Sequence, residues 1–216
     1  MQSDNVMATD SKKIVIIGSS NTDLVVRVDH FPQAGETIMG SDFMTAQGGK
    51  GANQAVAVAR LGGEAVFVAC LGNDAFGEVT LAALRSEGID TSHVTLTDSV
   101  ATGVATITVD SSGENCIVVA GGANLLLSPE DVDKAAADIQ SASLLLMQLE
   151  TPLPALIEAA RLAHANGVGV VLNPAPFPKE PLPTELLQNV DIMLVVFVSP
   201  GHGCKYQKQK ENQSFH

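Results

Sequence analysis

Short aliphatic runs alternate with longer amphipathic stretches along most of this chain. The runs have the length of buried strands, and they occupy residues 14–17, 65–71, 144–149, 168–172 and 192–198. The amphipathic stretches carry apolar side chains at helical spacing or end at glycine, and they occupy residues 52–61, 76–87 and 154–165. Strands that alternate with helices are typical of right-handed βαβ units, so the pattern predicts a parallel sheet covered by helices from about residue 65 onward.

Two parts of the chain depart from this alternation. Residues 23–28 are extended and are followed by Phe31, Pro32 and Gly35, which break the strand pattern. Residues 103–109 and 115–120 are two further extended segments joined by the turn sequence DSSGE. The first of them alternates in character from residue to residue, which predicts an antiparallel hairpin with one solvated face. We therefore expect a small second sheet beside the α/β core.

The two ends of the chain lack any apolar period. Residues 1–11 are polar and contain two acids, without the apolar region of a secretory signal. Residues 200–216 contain three lysines, two histidines and three glutamines. We expect disorder in residues 1–11 and 199–216, and we place the folded domain at residues 12–198.

Charge and cysteine content narrow the possible functions. The formal net charge is −12, from 12 basic and 24 acidic residues, which disfavours binding to nucleic-acid backbones. No apolar stretch approaches the roughly 20 residues that span a bilayer. The three cysteines are scattered without metal-binding spacing, which favours a reducing, cytoplasmic setting. We therefore assign no metal-binding residue from the sequence.

A glycine-rich sequence opens the helix predicted at residues 52–61. Residues 48–53 read GGKGAN, which places glycines and Lys50 at a helix N-terminus. Such a turn allows a ligand to approach the backbone, and the free N–H groups and Lys50 favour negative charge. The sequence matches neither the Walker A nor the dinucleotide-binding pattern. The alternative is a plain glycine turn into a helix.

Polar residues also follow the predicted strands, where α/β proteins bind ligands. Asn21 and Asp23 come after the first strand, and their spacing puts both side chains on one face of an extended segment. Together they offer a donor and acceptors for the hydroxyl groups of a polyol, although an Asx-turn explains them equally well. Glu150 follows the strand at 144–149 and is either a ligand contact or a solvated strand end. Asn173 is better explained as a turn residue before Pro174.

Taken together, these strings resemble the ribokinase-like (PfkB) carbohydrate kinases. The resemblance runs from about residue 14 to about residue 193. The Met-Gln-Leu-Glu and Asn-Pro-Ala-Pro strings point to ribokinase within that family. The matching strings are residues 18–23 (GSSNTD), Pro32, 35–37 (GET), 48–55 (GGKGANQA), 72–74 (GND) with Gly77, 102–105 (TGVA), 147–150 (MQLE) and 172–176 (LNPAP).

The resemblance implies a fold and a reaction. The fold is a ribokinase-like three-layer α/β/α sandwich with a mostly parallel sheet and a small β-sheet lid, from about residues 23–48 and 102–121, through which family members dimerise. The reaction is phosphorylation of D-ribose on its 5-hydroxyl by Mg-ATP, with monovalent-cation activation. The implied sugar-binding residues are Asn21, Asp23, Gly49, Lys50, Gly51, Ala52, Asn53 and Glu150, with Ala105 and Ile107 from the lid. The alternatives are another sugar or nucleoside kinase of the superfamily, or an inactive truncated form that acts only as a binding or dimerisation module.

The resemblance also predicts what this chain lacks. The family continues after the last matched strand with a Thr-Pro-Asn-Glu string that helps to bind nucleotide phosphate, whereas residues 194–197 here read LVVF. The later Gly-Ala-Gly-Asp-type string, which supplies the anion hole and the catalytic Asp, has no counterpart in these residues. We therefore assign no catalytic, metal-binding or nucleotide-binding residue, and we expect the chain to be inactive alone.

Overall fold

A computed structural model of the chain describes residues 13–199 and 202–206. Strands and helices are numbered along the chain. Six strands form one parallel sheet: β1 Lys13–Ile17, β4 Glu64–Gly72, β5 Asp90–Thr97, β8 Leu144–Met147, β9 Gly169–Leu172 and β10 Ile192–Met193. Their order is β10-β9-β8-β1-β4-β5. The predicted parallel sheet is therefore confirmed, with β1 at its centre.

A second sheet of four strands lies beside the first. Its strands are β2 Asn21–Arg27, β3 Asp42–Gly48, β6 Gly103–Val109 and β7 Asn115–Ala120, in the order β3-β2-β6-β7. The central pair β2 and β6 is parallel, and both outer pairs are antiparallel. This four-stranded sheet is called the lid below. It confirms the predicted small sheet and the hairpin at residues 103–120.

Helices cover both faces of the parallel sheet. They are α1 Lys50–Arg60, α2 Ala75–Ser86, α3 Pro129–Lys134, α4 Ala136–Ser141, α5 Leu153–Ala165 and α6 Thr184–Leu187, with a 3-10 helix at Gly122–Leu126. Side chains alternate along each strand, so Ile16 packs with α1 and α2, whereas Val15 and Ile17 pack with α3, α4 and α5. All three of these β1 side chains are completely buried. The predicted three-layer arrangement is thus confirmed.

The chain passes between the parallel sheet and the lid at four places. The connections run from β1 to β2, from β3 to α1, from α2 and β5 into β6, and from β7 into the 3-10 helix. Asp74, in the turn before α2, supports the connection into β6, because its carboxylate accepts from Gly77 N at 2.8 Å and from Thr102 N at 2.8 Å. The segments that follow β1 and β8 are hydrogen-bonded to the start of α1 beside the lid.

The strand predicted at residues 192–198 is wrong in extent. β10 covers Ile192–Met193, and β11 Val196–Ser199 instead pairs antiparallel with β12 His202–Tyr206 in a separate two-stranded sheet. The neighbouring strand sets this limit, since β9 ends at Leu172 and Pro174 follows without an N–H group. Leu194 N makes a last bond to Leu172 O at 2.8 Å.

The predicted disorder of the termini falls mostly on residues outside the description. Residues 1–11 lie there entirely. Within residues 199–216, the structure describes Ser199 and His202–Tyr206 as strand, and the expectation for the others stays a prediction. No helix within the described ranges is long and apolar enough to cross a membrane.

Candidate functional site

The glycine-rich sequence at the start of α1 lies directly on the turn that follows β1. Gly49 has φ 92°, a conformation that favours glycine, and a Cβ there would lie 2.6 Å from the Cα of Ser20. A Cβ at Gly51 would lie 2.7 Å from the carbonyl carbon of Gly18. Ala52 N donates to Ser19 O at 2.9 Å. The glycines therefore allow a close contact between α1 and the turn after β1.

Glu150 is held at the start of α1 by charge and by hydrogen bonds. Its Oε1 accepts from Lys50 Nζ at 2.5 Å, and its Oε2 accepts from Ser19 Oγ at 2.5 Å and from Lys50 N at 3.2 Å. The Glu150 side chain is 15% exposed. Burial by itself would raise the pKa of Glu150, but the bonds from Lys50 and Ser19 outweigh it and hold the pKa below its ordinary value. The alternative interpretation of Glu150, as a solvated residue at the end of a strand, is therefore wrong.

Asp23 presents a carboxylate that no described residue donates to. It stands on β2 between Ala46 of β3 and Ala105 of β6, whose small side chains leave space around it. Its oxygens occupy the place that a Cβ on Gly48 would need. Burial raises the pKa of Asp23, and the negative charge of Glu150 raises it further. The molecule thus keeps a half-buried carboxylate next to a second one, without internal compensation.

Asn21 precedes Asp23 on the same face of β2 and is 4% exposed. Its Oδ1 accepts from Asn124 Nδ2 at 2.8 Å. Both residues pair within a regular strand ladder, so the Asx-turn alternative for them is wrong.

The other predicted residues lie around the group formed by Asp23, Lys50 and Glu150. Ala52 is buried against Ser19, and Asn53 is exposed on the first turn of α1. Asn53 lines a cavity of about 300 Å³ between α1 and α2, which Ser20 and Thr80 also line. Ile107 stands two residues beyond Ala105 on the same face of β6, about 6.6 Å further along the strand. The structure therefore brings together Asp23, Lys50, Glu150 and Ala105, with Lys50 bonded to Glu150 and Ala105 paired with Asp23.

Three residues of this region escaped the sequence analysis as individual contacts. Ser19 links Glu150 to α1, Asn124 holds Asn21, and the buried Gln148 donates from Nε2 to Gln54 on α1. Ser19 and Gln148 lie inside strings that the analysis recognised, but their partners are 131 and 94 residues away along the chain. A linear pattern carries no signal for contacts of that range.

The described residues do not form a metal site. No group of three or more His, Cys, Asp or Glu side chains within the described ranges is arranged to hold a metal ion. Lys50 forms an ion pair with Glu150.

Comparison with known proteins bears on this geometry. Residues 11–195 match the sequence profile described as "pfkB family carbohydrate kinase". The chain is 47% identical over 182 residues to a ribokinase of Haemophilus influenzae, covering 84% of this chain and 59% of that protein. It is 40% identical over 167 residues to a deoxyribokinase of Salmonella typhi, covering 77% of this chain and 55% of that protein.

A solved structure shows the same fold. The ribokinase of Arabidopsis thaliana, solved in complex with ribose and ATP, superposes with a TM-score of 0.78 at 35% identity. The match covers 85% of this chain and 59% of that one. The chain therefore spans slightly more than half the length of these relatives.

Proposed function

This chain belongs to the pfkB family of carbohydrate kinases, and from that membership we propose that it is the sugar-binding part of a ribokinase-type kinase. The proposed reaction of the whole kinase is the ATP-dependent phosphorylation of D-ribose at its 5-hydroxyl group. The proposed sugar contacts in this chain are those predicted from the sequence. The identities of 47% and 40% to a ribokinase and a deoxyribokinase support a pentose over a larger sugar.

The observation that carries the proposal is the uncompensated carboxylate of Asp23. A half-buried carboxylate without hydrogen-bond donors is costly, and a ligand hydroxyl that donates to it removes part of that cost. Ala46 and Ala105 beside it leave room for a compact ligand. A second anion such as a phosphate would be repelled by Asp23 and Glu150, so a neutral polyol is the better fit.

The other contacts form a rigid wall for the same ligand. Glu150 Oε2 already accepts two hydrogen bonds, whereas Oε1 accepts one from Lys50 and keeps a further lone pair. A sugar hydroxyl that donates to Glu150 would use that position. The tie between Lys50 and Glu150 also fixes the glycine-rich backbone against which the sugar ring would lie.

ATP, Mg²⁺ and a monovalent cation are cofactors of the proposed whole kinase. The described residues do not provide a metal site, and we assign no residue of this chain to any of the three. The residues of this chain bind and orient the sugar, and we propose that the chain alone is inactive.

Titration calorimetry of the 216-residue chain tests the proposal directly. We expect D-ribose to bind, and fructose and adenosine to bind at least about tenfold more weakly, because a small space beside Asp23 favours a pentose. 2-Deoxyribose in the same series distinguishes the two kinds of relative. Tighter binding of fructose or adenosine than of ribose would contradict the assignment.

A second candidate function is a module that binds another copy through its lid. Large apolar side chains are exposed on both faces of the lid. Met44 (50%), Ile117 (50%) and Val119 (51%) lie on the face that carries Asp23, whereas Phe43 (60%) and Val118 (66%) lie on the opposite face. Exposed apolar patches are typical of protein interfaces. We propose a homodimer that forms through the face with Met44, Ile117 and Val119. We also propose a reducing, cytoplasmic setting, since Cys70 and Cys116 are both free thiols.

A further inference from the structure

A buried asparagine outside the glycine-rich sequence governs the hydrogen bonding of Asn21. Asn124 lies in the 3-10 helix after β7 and is 1% exposed. Its Oδ1 accepts from Ser20 N at 2.9 Å. Its Nδ2 donates to Ser20 O at 3.1 Å and to Asn21 Oδ1 at 2.8 Å. One side chain therefore satisfies the backbone of Ser20 and also reaches Asn21.

The backbone of Ser20 decides the orientation of both amides. A backbone N–H group donates and a carbonyl accepts, so Asn124 must turn its Oδ1 to the first and its Nδ2 to the second. The remaining Nδ2 proton then points at Asn21, which must present its Oδ1 in return. The NH₂ group of Asn21 is consequently directed away from Asn124.

Gly103 closes the other side of this arrangement. It pairs with Asn21 in the ladder between β2 and β6. A Cβ on Gly103 would overlap both Asn21 Oδ1 and Asn124 Nδ2. The two amides are thus packed against the backbone of β6, and this packing leaves them little freedom to rearrange.

The free NH₂ group of Asn21 complements the free carboxylate of Asp23. No described residue accepts a hydrogen bond from Asn21 Nδ2, and none donates to Asp23. The two side chains share one face of β2. The face therefore offers one donor beside one acceptor, which matches hydroxyl groups because each of them both donates and accepts.

We propose that Asn124 is a positioning residue that fixes the Asn21 amide with its NH₂ group toward the sugar. The ligand would then place one hydroxyl oxygen as acceptor at Asn21 and one hydroxyl proton as donor at Asp23. This role rests on the proposed function, since it assigns the ligand of β2 to a sugar. It adds a selection rule: a ligand must carry two neighbouring hydroxyl groups that fit this donor and acceptor.

The orientation is tested in the ligand-free chain by hydrogen exchange of the side-chain amides, followed by NMR. We expect the Nδ2 protons of Asn124 to exchange at least about tenfold more slowly than those of Asn21, because both Asn124 protons are bonded and buried. In Asn124→Asp the new carboxylate accepts instead of donating, so the Asn21 amide should turn and its Nδ2 protons should become protected. Protection of Asn21 Nδ2 already in the unsubstituted chain would overturn the orientation.

The role toward the sugar is tested by ribose titration of the same proteins. We expect Asn124→Asp to bind ribose about tenfold more weakly, which corresponds to the loss of one good hydrogen bond. The matched control is Asn166→Asp on exposed Asn166, whose Nδ2 donates to Leu162 O at 2.8 Å, and it should bind like the unsubstituted chain. Equal binding by folded Asn124→Asp would overturn the proposal.

Two further outcomes remain decisive. If Asn124→Asp does not fold, the Asn21 Nδ2 resonance of the unsubstituted chain decides, because ribose must shift and protect it and an unchanged resonance overturns the proposal. If the unsubstituted chain does not bind ribose, the proposed function fails and the role toward the sugar fails with it. The exchange rates still decide the amide orientation in that case, so the two failures are distinguishable.

Discussion

Lys50 Nζ lies 2.5 Å from Glu150 Oε1, which joins the first residue of α1 to the segment that follows β8. The Lys50 side chain is 40% exposed and that of Glu150 is 15% exposed, so the pair lies at the edge of solvent. Lys50 also donates its backbone N–H to Glu150 Oε2 at 3.2 Å. The backbone N–H group and the side chain of Lys50 thus both hold the Glu150 carboxylate in place.

Glu150→Gln should destabilise the chain and weaken ribose binding. The amide keeps the shape of the carboxylate but loses its charge, so we expect the free energy of unfolding to fall by about 1–2 kcal/mol. Urea unfolding at neutral pH measures this. The matched control is Glu158→Gln, which removes the charge from an ion pair with Arg161 on α5 and should cost at most about 0.5 kcal/mol.

The same variant should show a pH signature. The folded pKa of Glu150 lies below its ordinary value, so its stabilisation is present above the unfolded pKa and is lost as the pH falls through the folded pKa. The difference between the two proteins should therefore shrink below about pH 4. A difference that stays constant down to pH 2.5 would contradict the assigned role of the charge.

Asp23→Asn should stabilise the ligand-free chain while it weakens sugar binding. Burial and the charge of Glu150 raise the folded pKa of Asp23, so folding favours its protonated form and the ionised form costs stability at neutral pH. Removing that charge should raise the free energy of unfolding by up to about 1 kcal/mol. Replacing the charged acceptor by a neutral amide should weaken ribose binding about tenfold or more, by calorimetry.

Ribose affinity should also fall on acidification at a pH above the ordinary aspartate pKa of about 3.9, as Asp23 takes up a proton. Asp98→Asn is a suitable control on exposed Asp98, which accepts from Asn73 Nδ2 at 2.7 Å. It should leave ribose affinity unchanged. A loss of stability in Asp23→Asn would show that the carboxylate has an internal partner.

Ile117→Lys should convert the proposed lid dimer into a monomer. Ile117 is 50% exposed in the single chain, so the substitution leaves the folded monomer intact but buries a charge in the interface. Analytical ultracentrifugation at micromolar concentration measures the change. Leu61→Lys, at an 88% exposed position at the end of α1, should remain dimeric. A monomeric unsubstituted chain would contradict the dimer proposal.

The 216-residue chain should release no ADP above background with ribose and Mg-ATP. We propose that its residues hold a sugar, but they include no counterpart of the family's Gly-Ala-Gly-Asp-type string. Loss of one oxyanion-type donor costs about 10²–10³ in rate, and loss of a general base costs about 10²–10⁴. A coupled assay with full-length Haemophilus influenzae ribokinase as positive control measures this. Turnover within tenfold of that control would contradict the proposal.

The sequence was sufficient for the elements whose patterns are local. β1 is a continuous aliphatic run, and α1 lies between a glycine-rich start and a glycine pair, so both were predictable. β5 was missed because its sequence DTSHVTLT is largely polar. Its polar side chains bond to the helices beside it: His93 pairs with Asp138 at 2.8 Å and Thr95 donates to Asp131 at 2.9 Å. β3 was missed because most of its side chains are exposed.

The residues of the candidate site also divide into those predicted from local patterns and those recognised only from long-range contacts. Asn21, Asp23 and Lys50 were found because each belongs to a compact string. The bond between Lys50 and Glu150 joins residues that are 100 positions apart, and the bond between Asn124 and Asn21 joins residues that are 103 positions apart. Neither contact can be predicted from a linear sequence pattern. The solvated alternative for Glu150 fitted its position at a strand end and failed because α1 reaches that end.

The central place of β1 in the parallel sheet has a consequence for folding during synthesis. β1 pairs with β4 on one side and with β8 on the other, so Ile14 faces Ala65 and also Leu144. Its first partner emerges from the ribosome about 50 residues later and its second about 130 residues later. The face covered by α1 and α2 is therefore complete long before the face covered by α5. We expect nascent chains to carry a half-covered sheet, and hence to need a chaperone, until β8 and α5 have been made.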